Sequence, residues 1–200
     1  MAIIVIGGQS RKIGKTAVVC SLISAMPECR WTAIKITQCK HDAIGAEPCD
    51  CEFAGRNLAN DEERDVNTGK DSSRYLAAGA VRSLWVRVRA ERFGEAMPRI
   101  RAEIDSSANT ILESSSVLGY LKPDLYAVVL DLASRDFKPS ARQHLGQADA
   151  ILLSGAPEQQ FARAAVPGDL MKRIRTFRIG PPNYSSAEFA AFVAQKLGDA

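Results

Sequence analysis

Short apolar runs rich in β-branched residues alternate with helix-like segments along much of the chain. The apolar runs predict six buried strands, at residues 2–6, 32–37, 81–88, 110–112, 126–130 and 150–153. Apolar residues at helical spacing predict helices at residues 15–26, 71–80, 97–104, 141–148 and 187–197. This alternation predicts an α/β fold in which a mainly parallel sheet lies between helices on both faces. Ligands of such sheets bind beyond the carboxyl ends of the strands.

One polar segment interrupts this alternation, at about residues 38–69. It is rich in Asp, Glu and Asn, and it follows the second predicted strand, at the edge of the sheet where ligands bind. Loops of this length are uncommon inside compact domains and are often functional or disordered. We therefore predict a single nucleotide-binding domain over residues 1–200, with a cysteine-containing loop insertion at about residues 38–69.

The composition favours one ordinary globular domain. Hydrophobic residues make up 46% of the 200 residues and charged residues 24%, which allows a substantial core and disfavours wholesale disorder. A formal net charge of +3 gives no reason to expect a nucleic-acid partner. No apolar run approaches the roughly 20 residues of a transmembrane helix, and the first residues read as a strand rather than a signal peptide. We expect a cytoplasmic protein that binds neither nucleic acid nor membrane.

The turn after the first strand matches most of the phosphate-loop pattern G-x-x-x-x-G-K-[ST]. Gly14, Lys15 and Thr16 stand at the required spacing, between a buried strand and a helix. Gln9 occupies the position of the first glycine, and Gly8 lies one residue earlier. The predicted loop consists of Gln9, Ser10, Arg11, Lys12, Ile13, Gly14, Lys15 and Thr16.

The chemistry of this loop predicts a bound nucleotide. Backbone N–H groups curve around an anion, and the amino terminus of the helix adds its unpaired donors and its dipole. Gly14 lets the backbone approach a phosphate, Lys15 would neutralise the β and γ phosphates, and Thr16 would ligate Mg2+. The sequence therefore predicts GTP or ATP bound with Mg2+; the competing interpretation is a plain strand–turn–helix.

Three further residues are candidate catalytic groups at the same edge of the sheet. Lys35 lies near the end of the second strand, where a buried ammonium needs an anionic partner unless it reaches solvent. Asp71 opens a helix, either as a Mg2+ ligand or as the helix cap. Glu113 ends an apolar strand, where Walker-B carboxylates hold Mg2+ through water or orient an attacking group. With Lys15 these residues form the predicted catalytic set, and Thr16, Asp71 and Glu113 form the predicted Mg2+ site.

A second candidate metal site lies in the polar segment and consists of Cys39, His41, Cys49 and Cys51. Three thiols and an imidazole can hold Zn2+ tetrahedrally or anchor an iron–sulfur cluster. Neither cysteine pair has the familiar two-residue gap, and reduced thiols are the alternative. The sequence leaves both interpretations open.

With these residues placed, the chain resembles the molybdopterin-guanine dinucleotide biosynthesis protein B family of P-loop NTPases. The resemblance rests on the loop at residues 14–16, residues 33–35 of the second strand, residues 69–74 followed by residues 78–80, and Glu113. It implies GTP binding and assistance in converting molybdopterin to its guanine dinucleotide form. It also implies a protein of molybdenum-cofactor assembly as a partner, and a homodimer.

Three functions follow as hypotheses. The first is a GTP-binding accessory protein of cofactor assembly with slow hydrolysis. The second is a small-molecule kinase, in which Lys35, Asp71 and Glu113 position an acceptor under the γ-phosphate. The third is a metal- or redox-responsive nucleotide-binding module, with the cysteine-containing segment as the sensor.

Overall fold

The computed structural model describes residues 1–39, 58–134, 136–155, 166 and 168–198. Within these residues the strands are β1 (Ile3–Gly8), β2 (Trp31–Cys39), β3 (Leu58–Glu63), β4 (Arg82–Arg89), β5 (Asn109–Glu113), β6 (Leu125–Asp131), β7 (Ala150–Ser154) and β8 (Arg175–Arg178). The helices are α1 (Lys15–Ala25), α2 (Asp71–Ala77), α3 (Phe93–Asp105), α4 (Pro139–His144), α5 (Gly168–Arg173) and α6 (Ala187–Gly198). Short 3-10 turns occur at Pro27–Cys29, Ala90–Arg92, Ser116–Gly119 and Leu145–Gln147.

All of these strands belong to one sheet, in the order β3-β4-β2-β5-β1-β6-β7-β8. Neighbouring strands are parallel, except that the edge strand β3 runs antiparallel to β4. The carboxyl ends of the parallel strands therefore meet at one edge of the sheet, where the topology predicts a ligand site. The predicted α/β architecture is confirmed.

Alternation along each strand divides the interior into two cores, one on each face of the sheet. In β2, Ile34 and Ile36 belong to the core that α3 and α5 cover, whereas Trp31 and Ala33 belong to the core that α1, α2 and α6 cover. All four side chains are buried. Burial of each large apolar side chain stabilises the fold by roughly 1.5–3 kcal/mol.

The face under α1 and α2 changes from apolar to charged toward the carboxyl ends of its strands. In β2 the buried Ala33 is followed on that face by Lys35. In the parallel register Lys35 lies opposite Glu113 of β5, and Glu113 in turn lies opposite Ile6 of β1. The sheet register therefore brings a lysine and a glutamate from separate strands next to the loop that leaves β1.

The structure differs from the predicted elements mainly at the two edges of the sheet. Part of the polar segment at residues 38–69, predicted as a loop, is ordered: β2 continues to Cys39, and residues 58–63 form β3. Strand β3 was not predicted because its sequence is acidic and its side-chain contacts are ionic. Glu62 pairs with Arg82, and Asp61 pairs with Arg87, both in β4.

Two elements near the carboxyl terminus, α5 and β8, were also absent from the predictions. β8 is four residues long and buries one apolar side chain, that of Phe177, so it carries almost no periodic pattern. Three helices differ in their bounds from the predictions: α2 ends at Ala77, α3 begins at Phe93, and α4 covers Pro139–His144 before a 3-10 turn. In the described part of the chain, none of the helices has the length and apolar character required to cross a bilayer.

Candidate functional site

The turn between β1 and α1 is a compact loop whose shape depends on glycine. Gly14 has φ +94°, in the left-handed region, and a Cβ there would lie 2.4 Å from ring atoms of Tyr184. A Cβ on Gly8 would lie 2.6 Å from Cδ of Lys15, so the Lys15 stem folds directly over the Gly8 backbone. Both positions require glycine, because a Cβ there would collide with Lys15 or with Tyr184. The loop backbone therefore lies close against these two side chains.

Gln9 has a structural role that explains why it replaces the first glycine of the pattern. Its side chain is fully buried. Its Oε1 accepts a hydrogen bond from the Asp131 backbone N–H at 3.0 Å, and its Nε2 donates to the Ser134 carbonyl at 3.0 Å. Its own carbonyl accepts from the Lys138 N–H at 2.8 Å. Gln9 therefore fixes the loop to the segment after β6, and that segment carries Lys138.

Lys15 extends from the first residue of α1 back across the loop. Its Nζ donates to the Ser10 carbonyl at 2.6 Å. Burial lowers the pKa of Lys15 to about 8, and the positive charges of Lys138 and Lys35 add to this effect, although Glu113 opposes it. An ammonium whose charge burial disfavours is stabilised by a neighbouring polyanion, because the anion supplies the opposite charge.

Thr16 and Glu113 join the loop to the neighbouring strand β5. The Thr16 hydroxyl donates to Oε2 of Glu113 at 2.8 Å, and the hydroxyl of Tyr75 on α2 donates to the same oxygen. Glu113 is 7% exposed and Tyr75 is fully buried. Burial, followed by the charge of Glu113, raises the pKa of Tyr75 well above its ordinary value, so this hydroxyl remains a donor.

Lys35 forms the centre of an ionic group beside this pair. Its Nζ donates to Oδ2 of Asp71 and lies 4.0 Å from Oε1 of Glu113. Burial alone would raise the pKa of Asp71, but the hydrogen bond and charge of Lys35, with the charge of Arg74, outweigh it and lower that pKa. Asp71 is therefore ionised near neutral pH. We call Lys35, Asp71, Tyr75 and Glu113 together the carboxylate cluster.

The phosphate loop and three members of the carboxylate cluster, Lys35, Asp71 and Glu113, line one cleft of about 980 Å3. Basic side chains line it on the loop side; they are Arg11, Lys12, Lys15 and Lys138. Burial, and then the charge of Arg11, lower the pKa of Lys138, which lies just before α4. This concentration of cations around backbone N–H groups suits a polyphosphate.

The side chains at the floor of this cleft fit a Mg2+ ion held together with a nucleotide. The Thr16 hydroxyl and the Glu113 and Asp71 carboxylates supply oxygen atoms, which are the ligands Mg2+ takes, with phosphate oxygens and water completing its shell. In the described ranges, no group of three or more His, Cys, Asp or Glu side chains could hold a metal ion.

The predicted cysteine–histidine metal site lies mostly outside the described residues. His41, Cys49 and Cys51 belong to residues 40–57. Cys39 is buried at the end of β2 and is disulfide-bonded. A sulfur in a disulfide is not a thiolate ligand, so a metal there requires reduced thiols. The site stays a prediction, which elemental analysis of reduced, chelator-free protein would check by showing about one zinc or iron per chain.

Every described member of the predicted catalytic set, Lys15, Lys35, Asp71 and Glu113, reaches the same cleft. The sequence analysis missed Tyr75, Lys138 and Tyr184. Tyr75 follows Asp71 by four positions on α2, one helical turn, so the two side chains share a helix face. That spacing could have identified Tyr75. Lys138 and Tyr184 stand after β6 and after β8, and nothing in the local pattern marks them.

Fold and site together define the class of the protein. A buried parallel strand, a glycine-dependent loop ending in Gly14–Lys15–Thr16, and a helix that starts at Lys15 are the parts of a phosphate loop. An acid ends the adjacent parallel strand. The chain has the three-layer α/β fold of P-loop nucleotide-binding proteins.

Comparison with known proteins supports this fold assignment and goes no further. No family model and no curated protein sequence matches the chain. The structure is similar to HypB from Helicobacter pylori, solved in complex with nickel, with a TM-score of 0.52 and 14% identity over 98% of this chain and 87% of that one.

Two further solved structures match more weakly. The "apo" form of LpxK from Aquifex aeolicus, in complex with ATP, has a TM-score of 0.46 and 16% identity, covering 89% of this chain and 53% of that one. The MinC:MinD cell division complex from Aquifex aeolicus has a TM-score of 0.43 and 12% identity, covering 98% and 86%. We base no argument on these two.

Proposed function

We propose that this protein binds GTP or ATP with Mg2+ at residues 9–16 and hydrolyses it slowly, as a nucleotide-dependent accessory protein. One observation carries the proposal: the Thr16 hydroxyl lies 2.8 Å from Glu113, at the place where a phosphate loop meets the acid of the neighbouring strand. This pair supplies the oxygen ligands that a nucleotide-bound Mg2+ requires.

Each group of the cleft has a definite part in this function. The N–H groups at the start of α1 bind the phosphates, and Lys15 moves its ammonium from the Ser10 carbonyl to the β and γ phosphates. The Thr16 hydroxyl, which donates to Glu113, would be one of the groups that hold the metal. Bound Mg2+ would neutralise charge on the phosphates as the bond to the γ-phosphate breaks.

The carboxylate cluster would then position the water that attacks the γ-phosphate. Glu113, held by Tyr75, would orient that water or help to hold the metal. Lys35 lies between two carboxylates, so its charge keeps Asp71 and Glu113 close together next to the anionic phosphates.

The resemblance to the molybdopterin-guanine dinucleotide biosynthesis protein B family gives this proposal its biological setting. In that setting the ligand is GTP, the partner is a protein of molybdenum-cofactor assembly, and the protein acts in the cytoplasm as a homodimer. The stretch at residues 69–74 that carries much of the resemblance forms the start of α2 and contributes Asp71 to the cleft. The family motif and the carboxylate cluster therefore coincide.

Calorimetric titration tests nucleotide binding and base preference together. GTP and ATP are titrated separately, each with and without Mg2+, into the wild-type protein, the Lys15→Ala variant and the Lys196→Ala control, whose exposed lysine lies on α6. We expect Mg2+-dependent binding of one nucleotide that weakens on the order of 100-fold in Lys15→Ala and is unchanged in Lys196→Ala. Equal affinity of wild type and Lys15→Ala would refute the proposal.

A small-molecule kinase is the second candidate, and the shape of the cleft favours it. Beyond Lys35 the cleft continues to Thr37, Gln38 and Trp85. Trp85 Nε1 donates to Thr37 Oγ1 at 3.0 Å, and Ser116 Oγ donates to Gln38 Oε1 at 3.0 Å, so these polar groups are held in place. This extension offers space for an acceptor beside the γ-phosphate.

Mass spectrometry separates the two candidates. The protein is incubated with Mg2+ and γ-labelled nucleotide in the presence of a defined mixture of hydroxylated and carboxylated metabolites. A kinase yields a labelled metabolite, and Trp85→Ala lowers that transfer more than it lowers hydrolysis. Label found only in inorganic phosphate excludes transfer to these acceptors and favours the accessory protein.

A further inference from the structure

We infer that Tyr75 is a positioning residue that holds the Glu113 carboxylate in place during Mg2+ binding. The inference rests on the proposed function, since it assigns a role within the same site. Tyr75 acts through Glu113: its hydroxyl donates to Oε2 of that residue. Nothing in the phosphate-loop pattern requires a tyrosine on α2.

Two hydroxyl groups converge on one carboxylate oxygen. Oε2 of Glu113 accepts from Thr16 at 2.8 Å and from Tyr75. The other oxygen, Oε1, faces Lys35 Nζ at 4.0 Å. Glu113 is therefore held from three elements: α1 through Thr16, α2 through Tyr75, and β2 through Lys35.

These two donors differ in their freedom to move. Thr16 lines the cleft, so its hydroxyl would be free to turn toward a metal bound with the nucleotide. Tyr75 is 0% exposed within the core that α1 and α6 cover, so it has no route to water. Leaving its hydroxyl without an acceptor would impose the desolvation cost of a buried donor. Tyr75 therefore stays on Glu113 after Thr16 has left.

The backbone around Tyr75 is fixed as well. Ser83 Oγ of β4 donates to the Ser72 carbonyl at 2.8 Å, and Ser24 Oγ of α1 donates to the Ala78 carbonyl at 3.0 Å. α2 is thereby tied to the sheet at its start and to α1 at its end. Asp71, one turn before Tyr75, bonds to Lys35. The short helix α2 thus positions both carboxylates of the cluster, Asp71 directly and Glu113 through Tyr75.

A calorimetric experiment distinguishes positioning from ordinary core packing. Nucleotide affinity is measured as a function of Mg2+ concentration for the wild type, Tyr75→Phe, Glu113→Gln and the double variant. Tyr75→Phe keeps the buried ring and removes only the donor. Tyr126→Phe is the matched control, because Tyr126 is equally buried but belongs to the core on the opposite face of the sheet. Thermal unfolding verifies that every variant is folded.

We expect Tyr75→Phe to raise, on the order of 10-fold, the Mg2+ concentration at which the gain in nucleotide affinity is half-maximal. Loss of a residue that orients a metal ligand typically weakens metal binding by this much. Affinity at saturating Mg2+ should change less than about twofold, and Tyr126→Phe should match the wild type. In the Glu113→Gln background, Tyr75→Phe should add nothing, because its effect passes through that carboxylate.

Three results would overturn the inference while leaving nucleotide binding intact. They are an unchanged Mg2+ dependence in Tyr75→Phe, an equal shift in Tyr126→Phe, and an undiminished effect of Tyr75→Phe in the Glu113→Gln protein. A wild-type protein whose nucleotide binding does not depend on Mg2+ would instead overturn both this inference and the proposed function.

Discussion

The phosphate loop and the carboxylate cluster share one cleft but are built in different ways. The loop is local: consecutive residues from the end of β1 to the first turn of α1 form it, and its shape follows from backbone geometry at Gly14. The cluster is tertiary: its members come from β2, α2 and β5, and strand register and helix docking bring them together.

This difference determines how each region responds to change. In the proposed function the loop binds phosphate through backbone N–H groups and through the side chains of Lys15 and Thr16. Substitutions at most other loop positions should therefore affect binding only if they alter the backbone path. The cluster acts through side chains, and three of its members, Lys35, Asp71 and Glu113, carry compensating charges. The loss of one of these three leaves its neighbours with an unbalanced charge. Gln9 is the exception within the loop, because it acts through a buried side chain.

The largest effect is expected from Gly14→Ala, which tests whether backbone shape governs the loop. A left-handed φ costs a non-glycine residue about 1–2 kcal/mol, and the new methyl would overlap Tyr184. We expect a loss of about 3 kcal/mol in the free energy of unfolding by urea denaturation, together with lost nucleotide binding. Gly119→Ala, where a Cβ meets no atom within 4 Å, should change stability by less than about 0.5 kcal/mol. Similar losses in the two variants would contradict this account.

Gln9→Gly, which restores the ordinary phosphate-loop pattern, comes next. Because the side chain makes two buried hydrogen bonds to the segment after β6, its removal should cost about 2 kcal/mol of unfolding free energy. Gln9→Ala, measured by the same denaturation, should show most of this loss, since it removes the same bonds without adding backbone freedom. Equal stability of Gln9→Gly and the wild type would show that the Gln9 side chain does not stabilise the loop through the segment after β6.

Lys35→Met tests the charge balance of the carboxylate cluster, and its expected effect is smaller than those of the Gly14 and Gln9 variants. Without the ammonium, Asp71 and Glu113 face the phosphates unneutralised, and we expect nucleotide affinity at low Mg2+ to fall about 10-fold, near 1.4 kcal/mol. Adding Asp71→Asn should recover part of this loss in calorimetry, because it removes one of the two charges. Lys122→Met, at an exposed lysine, is the control. A double variant weaker than Lys35→Met would show that charge balance is not the cause.

The smallest effect is the uptake of at most one proton on nucleotide binding. Burial lowers the pKa of Lys15 in the folded protein to about 8, from an ordinary value of 10.5. Raising the pH from 8 to 10 therefore stabilises the protein in the absence of nucleotide. Phosphates favour the protonated form, so binding should take up protons near pH 8.5 and weaken as the pH rises further. Calorimetry in buffers of different ionisation enthalpy measures this, and the uptake should vanish in Lys15→Arg.

The contrast between the local loop and the tertiary cluster explains which parts of the site could be predicted from the sequence. Gly14–Lys15–Thr16 could be predicted because a local motif between a strand and a helix determines its geometry, and Glu113 because an acid ended an apolar strand. The bond from Lys35 to Asp71 joins residues 36 positions apart, and only strand register and the docking of α2 create it. Gln9 looked like a defect in the motif because its partners lie beyond β6. The acidic strand β3 was missed because arginines, rather than a core, hold it.

A crystal structure with Mg2+ and a non-hydrolysable triphosphate nucleotide is the most direct test of the central claim. The account predicts β and γ phosphates inside the arc of residues 9–16, with Lys15 Nζ moved from the Ser10 carbonyl to phosphate oxygen. It also predicts a metal on Thr16 Oγ1, with Tyr75 still bonded to Glu113. A nucleotide bound elsewhere, with Lys15 still on Ser10 and the loop unfilled, would contradict it.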